Sequence, residues 1–325
     1  MKESKKALIT GISGQDGSYL AELLLGKGYD VVGVVRISSM PENHTTRIEH
    51  IRNEVRLVYG DVTDGAFMLS LVMREQPSEI YNLAAQSHVG VSFDAPEHTA
   101  QATGIGALNV YEAMRLGCPT ARLYQASTSE MFGNNKDDDG LQRESTPMHP
   151  VSPYGCAKLF AHNLLVNYRS AYGLHMSSGI LFNHESPRRG TNFVTAKVVR
   201  ESIRVKRGQV DAVYLGNLDA HRDWGHARDY VWAMWRMLQQ PEGDDYVVGT
   251  GVTHSVRELV EAVFGRLGLD VEKHCRMDER YYRAEEIKIK ICGDSTKARE
   301  ILGWSPRYDF DALIDDIIEH WEAKL

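Results

Sequence analysis

Apolar positions in the first half of the chain follow two alternating patterns. Lys6-Ala-Leu-Ile-Thr10 and the valine run Asp30 to Val35 lack the apolar–polar alternation of a half-exposed strand. Strands of that kind are covered on both faces. Glu54 to Tyr59, Glu79 to Leu83, Arg122 to Gln125 and Met176 to Phe182 read as further strands. Between them lie stretches of helical character: Ser18 to Lys27 (Leu20, Leu23 and Leu24, with Gly28 as its stop), Ala66 to Glu75, Thr99 to Leu116, and Tyr154 to Tyr172. Strands alternating with helices predict a doubly wound α/β fold, a parallel sheet clad by helices on both sides.

Beyond about Asn183 the rhythm changes, which points to a smaller C-terminal α/β unit. Asn183 to Asn192 reads as a polar loop, Phe193 to Arg207 as a helix, Val213 to Leu215 as a short strand, Tyr230 to Leu238 as a helix and Asp245 to Gly249 as a strand. Ser255, followed by Glu258, has the spacing of a capping box for a helix reaching Leu267. Asp309 to Lys324 is an amphipathic helix with Phe310, Leu313, Ile317 and Trp321 as its stripe. Asn134 to Glu144, with Asp137-Asp-Asp-Gly140, reads as a solvated surface loop, and Trp224 and Trp232 as packing residues.

Composition narrows the function classes. The 325 residues carry 37 Lys plus Arg against 44 Asp plus Glu, a formal charge of −7, so there is no general attraction to nucleic acid or to an anionic membrane. No apolar run approaches a membrane span, and the polar start Met1 to Lys6 lacks a secretory core; the expected compartment is the cytoplasm. Cys118, Cys156, Cys275 and Cys292 form no C-x-x-C pair, and are expected to be reduced and mostly packed. The thirteen histidines show no metal-ligand spacing; His221 and His226 sit in a loop-like stretch, and no metal site is expected.

The chemistry-bearing motifs sit where a doubly wound sheet places ligands. Gly11-Ile-Ser-Gly14-Gln-Asp-Gly17 follows the first strand and opens a helix. Glycines there let the backbone turn and approach a pyrophosphate, which the helix N-terminus then receives. This gives the sheet a Rossmann reading with a dinucleotide cofactor. After the second strand stand Arg36, Ile37, Ser38 and Ser39 rather than an acid, which favours the 2′-phosphate of NADP over the bare ribose of NAD. Asp61 and Val62, after the third strand, are placed to face the adenine. The fifth strand ends in Ala126-Ser127-Thr128-Ser129-Glu130, and Tyr154-Gly-Cys-Ala-Lys158 puts a phenol and an ammonium on one helix face. A neighbouring ammonium favours phenolate, so the pair can act as a base.

With these motifs the chain resembles the extended short-chain dehydrogenase/reductase family. Within it, Gly11 to Leu20, Tyr81 to Val89, Gln125 to Glu130, Leu181 to Gly190, Arg222 to His226, Arg280 to Arg283 and Gly293 to Ala298 resemble the GDP-mannose 4,6-dehydratases. The resemblance covers nearly the whole chain. It implies a catalytic set of Thr128, Glu130, Tyr154 and Lys158, and a redox-neutral reaction giving a 4-keto-6-deoxy sugar. Tyr154 takes the C4 hydroxyl proton, Glu130 the C5 proton, Thr128 holds the C4 oxygen, and Lys158 binds the nicotinamide ribose and lowers the tyrosine pKa. Ser129, where dTDP-glucose dehydratases have Asp, matches the GDP-mannose branch; Glu130 separates dehydration from simple reduction.

The same resemblance implies NADP contacts at Gly11, Ile12, Ser13, Gly14, Gln15, Asp16, Arg36, Ser38, Ser39, Asp61, Val62, Leu83, Ala84, Ala85, Ser87, His98 (Tyr in the family pattern), Lys158, His184 and Arg189. Ile37 replaces the family's second arginine, so Arg36 carries more of the 2′-phosphate recognition or a neighbouring subunit contributes. Substrate contacts are implied at Ser87, Thr128, Glu130, Tyr154, Asn183, Val194, Lys197, Asn217, Arg222, Arg283 and Glu286, with Ala284 in place of a family proline. A homotetramer is implied, as is a division into an NADP-binding part (1–183, returning over 218–254) and a nucleotide-sugar part (184–217 and 255–325). The GDP-sugar is GDP-mannose or, alternatively, GDP-D-glycero-D-manno-heptose, which needs more room around Ser87, Val89 and Glu130. A 4-keto-sugar reductase and a non-catalytic NADP-binding module are the more distant alternatives.

Overall fold

The computed structural model describes residues 5–36, 46–282 and 287–325. In chain order its strands are β1 (Lys6–Thr10), β2 (Asp30–Val35), β3 (Arg56–Tyr59), β4 (Glu79–Asn82), β5 (Arg122–Thr128), β6 (Met176–Leu181), β7 (Asn183–Glu185), β8 (Val213–Leu215), β9 (His221–His226), β10 (Asp245–Val248), β11 (Thr253–Ser255) and β12 (Cys275–Met277). The helices are α1 (Gln15–Gly26), α2 (Gly65–Glu75), α3 (Val89–Asp94), α4 (Pro96–Thr99), α5 (Gly106–Gly117), α6 (Pro153–Tyr172), α7 (Val194–Lys206), α8 (Ala227–Met237), α9 (Val256–Leu267), α10 (Val271–His274) and α11 (Phe310–Lys324).

Seven strands form one parallel sheet in the order β10-β6-β5-β4-β1-β2-β3. Successive residues of β1 show why its apolar run is unbroken. Ala7 and Ile9 pack on one face, with α1 and α8, while Leu8 packs on the other, with α2, α5 and α6. Leu8 and Ile9 each contribute about 1.5–3 kcal/mol on burial. A third cluster joins α7, α9 and α11 around Trp224, which stacks on Phe310. Ala298, Leu302 and Trp304 pack back onto the sheet, beside α1 and α8.

Several elements depart from the sequence reading. Asn183–Glu185 and His221–His226 are strands, paired parallel to each other, and β9 also pairs with β11. Their polar residues are buried by partners rather than by hydrophobicity: Asp223 accepts from Thr250 N, Thr250 Oγ1 and Gly251 N, and His226 Nε2 meets Asp316 at 2.9 Å. The helix expected from Thr99 begins three residues earlier, at Pro96, and passes through a π-helical segment, Ala100–Ile105, into α5. The Asp137–Gly140 run is not merely solvated, because Arg143 binds Asp137, Asp139 and Asp294. Cys156 is exposed on α6.

Helix starts separate into two kinds. α2, α6, α8, α9 and α11 are each closed by a side-chain cap, from Asp64, Ser152, His226, Ser255 and Asp309. α1 and α7 have none; Gly14 and Phe193 occupy their cap positions. Their leading N–H groups are thus left for something outside the helix.

Candidate active site

The bare starts of α1 and α7 open on one crevice of about 1440 Å³, outside the carboxyl ends of the parallel strands. The glycine turn shapes its floor. Gly11 sits at φ +71°, and a Cβ on Gly17 would lie 2.3 Å from the Gly11 carbonyl oxygen. Only glycine permits that closeness, and the bare start of α1 above it suits a pyrophosphate. Gly11, Ser13, Gly14, Gln15, Asp16 and Arg36 line the crevice, as do Asp61, Val62, Leu83, Ala84, Ala85 and Ser87. Ile12 is fully buried against Gly33 and does not line the crevice. Asp61 turns its carboxylate to Thr63 N and Oγ1, both at 2.9 Å. His98 lies exposed on α4, away from the crevice lining. Ser38, Ser39, Arg283 and Glu286 lie outside the described residues.

The chemical centre forms where β5 meets α6. Thr128, Glu130, Tyr154 and Lys158 all line the crevice. Thr128 Oγ1 caps a short 3₁₀ turn by accepting from Glu130 N at 3.3 Å, which fixes Glu130 beside the strand end. Burial pushes the Tyr154 phenol above its ordinary value; its hydrogen bond to Thr128 acts downward and the Glu130 carboxylate upward. Lys158 is buried, and burial brings its ammonium down to about 8, with Asp16 acting the other way. Its Nζ donates to Ala126 O at 2.6 Å and stands 5.8 Å from the Tyr154 ring centre. The spacing does place the two on one face, with the Lys158 ammonium turned to the strand carbonyl.

A partly buried ion pair joins the two halves of the crevice. His184 Nε2, on β7, meets Asp16 Oδ2 in the first turn of α1 at 2.8 Å, while its Nδ1 donates to Phe182 O at 2.8 Å. Burial pulls the imidazole down, but the Asp16 carboxylate outweighs it and His184 ends raised; Asp16 correspondingly ends lowered, despite its own burial. Gln15 adds bonds to His184 O and Ser186 Oγ. Arg189 pairs with Glu185 at 3.1 Å and lies over Phe193.

At the far end stand Asn183, Val194, Lys197, Asn217 and Arg222. Lys197, at the start of α7, is brought down to about 8 by burial and lies over the Tyr281 ring. Arg222 is buried and donates to His221 O at 2.7 Å. Arg47, Arg188, Phe193 and Tyr281 also line the crevice and were not singled out from the sequence. Among the described residues no group of three or more His, Cys, Asp and Glu side chains is placed to hold a metal. Nor is any helix among them long and apolar enough to cross a membrane.

A family model described as GDP-mannose 4,6 dehydratase matches residues 8–317. The chain belongs to the GDP-mannose 4,6-dehydratase family. Family relatives match along their length: the human GDP-mannose 4,6 dehydratase is 47% identical, over 100% of this chain and 93% of its own. The Sinorhizobium fredii GDP-mannose 4,6-dehydratase is 50% identical over 94% of this chain and 93% of its own. Among solved structures, a Thermotoga maritima UDP-glucose 4-epimerase superposes with a TM-score of 0.86 at 25% identity, covering 98% of this chain and 99% of that one. A Bacillus anthracis dTDP-glucose 4,6-dehydratase superposes with a TM-score of 0.84 at 21% identity, covering 98% and 97%, and shares the fold. The GDP-mannose 4,6-dehydratase family is one of hydro-lyases.

Proposed function

We propose that this chain converts GDP-mannose to its 4-keto-6-deoxy product with NADP as the resident cofactor, working as a homotetramer. The observation that carries the reading is the meeting of Thr128, Glu130, Tyr154 and Lys158 at one end of a crevice whose other end is a bare, glycine-floored helix start. The glycine turn and the start of α1 would hold the pyrophosphate, Leu83 to Ser87 the adenosine side, and Lys158 the nicotinamide ribose. The dinucleotide held by these residues would supply a reversible hydride acceptor facing C4 and C6 of the sugar.

The chain's own groups do the rest. Thr128 fixes the C4 oxygen and Tyr154 removes its proton, leaving a C4 carbonyl. That carbonyl acidifies the C5 hydrogen, and Glu130 takes the C5 proton and passes it to the departing C6 hydroxyl, which leaves as water. The proton Tyr154 took from the C4 hydroxyl then goes to C5. The bare start of α7, with Lys197, Arg222 and the arginines of the 188–189 pair, provides donors suited to the diphosphate. The proposed division of labour follows: residues 1–183 and 218–254 hold the dinucleotide, and 184–217 with 255–325 hold the GDP-sugar.

Mass spectrometry of GDP-mannose incubated with the purified protein and no added reductant tests the reading. Loss of one water from GDP-mannose is expected; loss from GDP-manno-heptose alone would transfer the assignment to the heptose. The nucleotide released on denaturation is expected to be NADP. Glu130→Gln is expected to retain that nucleotide and lose dehydration; normal turnover of the variant would remove Glu130 as the C5 base.

A further inference from the structure

A cation outside every motif of the sequence reaches the adenosine end of the crevice. The 3₁₀ turn Thr46–Ile51 packs on α1 by burying Ile48 and Ile51 in the same cluster as Leu20 and Leu24. This fixes Arg47, eleven residues beyond Arg36, at the crevice wall. Its Nε donates to Arg188 O at 2.7 Å, and one terminal nitrogen to Ser13 O at 3.4 Å. Ser13 lies within the glycine turn, between Gly11 and Gly14.

The neighbouring arginines are matched by acids. Arg188 pairs with Glu22 at 2.5 Å, and Arg189 with Glu185. Arg47 has only carbonyls and no acidic partner among the described residues. Burial, with Arg188 and Arg189 close by, disfavours its charge. A half-buried guanidinium in such company is stabilised by an incoming anion. In a doubly wound sheet, the groups that meet the ribose 2′ position stand between the glycine turn and the end of the second strand. Arg36 occupies the strand end and Arg47 the turn side.

We propose that Arg47 is a specificity-determining residue that binds the 2′-phosphate of NADP opposite Arg36, supplying the second guanidinium that Ile37 does not. The proposal rests on NADP as the resident dinucleotide. NAD carries the same pyrophosphate but no 2′-phosphate, so the pair of cofactors separates a 2′-phosphate contact from a pyrophosphate contact.

The test is titration of NADP and of NAD into protein freed of its nucleotide, followed by calorimetry. Arg47→Met is expected to weaken NADP binding about 30-fold while changing NAD binding less than about twofold, the loss of one charge-assisted contact. Arg47→Lys is expected to recover part of that loss, which a folding defect would not do. Equal weakening toward both dinucleotides, or no weakening toward NADP in either variant, would overturn the assignment. If the unsubstituted protein binds NAD as tightly as NADP, the NADP reading itself fails, whatever Arg47 does.

Discussion

The two ends of the parallel sheet treat charge in opposite ways. At the amino ends of the strands two carboxylates are buried and fully matched. Glu79 accepts from Lys5 at 3.2 Å, Tyr29 at 3.0 Å, Gln239 at 3.1 Å and Tyr81 at 2.7 Å. Glu75 accepts from Lys6, from Arg74 and from both terminal nitrogens of Arg56. At the carboxyl ends, beside the paired His184–Asp16 and Arg189–Glu185, the buried Lys158 and the half-buried Arg47 rest on carbonyl oxygens. A carbonyl holds a cation in place without cancelling its charge. Matched charge therefore serves stability at one end, and unmatched charge is kept for ligands at the other.

The sharpest way to expose this contrast is at the chemical centre. Tyr154→Phe is expected to lower turnover about a thousandfold, roughly 4 kcal/mol of barrier, with melting temperature and nucleotide content unchanged. Steady-state rates beside thermal melts check it; a comparable fall in stability would place Tyr154 in the matched class instead.

At the other end Glu75→Gln is expected to cost about 2 kcal/mol of stability and no turnover, measured by urea unfolding. Arg56 first, and then Arg74, hold Glu75 down to about 2 against its burial. Its contribution is thus complete above the unfolded value of about 4.3 and is lost as pH falls toward 2. The variant and the parent should converge in stability over that acid range.

Lys158→Met separates the two roles within one residue. It is expected to abolish turnover yet stabilise the fold by about 1–2 kcal/mol at pH 7, because it removes a buried ammonium. That penalty is complete below the folded value of about 8 and fades as pH rises toward the unfolded value of about 10.4. Unfolding curves of parent and variant should therefore approach each other between those values. The smallest effect belongs to Arg74→Met. Its side chain is 57% exposed, and loss of its pair with Glu75 is expected to cost under about 0.5 kcal/mol.

The sheet was legible because its strands are apolar on both faces and its helices carry regular stripes. The valine run Asp30 to Val35 is one such strand, and the Ser255–Glu258 capping box appears as its spacing predicts. β7 and β9 were not legible, since His221–His226 buries Arg222, Asp223 and His226 through hydrogen bonds, which leave no hydrophobic period. The four catalytic candidates and the glycine turn share one crevice because strand ends and helix starts lie together in this topology. The Arg47 position has no local signal; only the packing of Ile48 and Ile51 brings it back to the glycine turn. The direction in which Lys158 points was equally hidden, since i, i+4 spacing fixes a face of the helix but not the acceptor a long side chain finds on it.

The π-helical stretch Ala100–Ile105 acts as a ruler. It presents Ala102 to the crevice and Thr103 to the backbone of Gln86, whose N–H donates to Thr103 Oγ1 at 3.2 Å, before α5 sets Val110 and Met114 into the core. A π-turn takes one residue more than an α-turn, so losing that residue leaves an ordinary α-helix with α5 still in register, whereas adding a further one would rotate everything downstream by about 100°. Val110 and Met114 would then turn out of the core. Loops at the crevice mouth are free to lengthen or shorten over generations, whereas this internal stretch counts its residues and transmits an added one to the centre of the sheet.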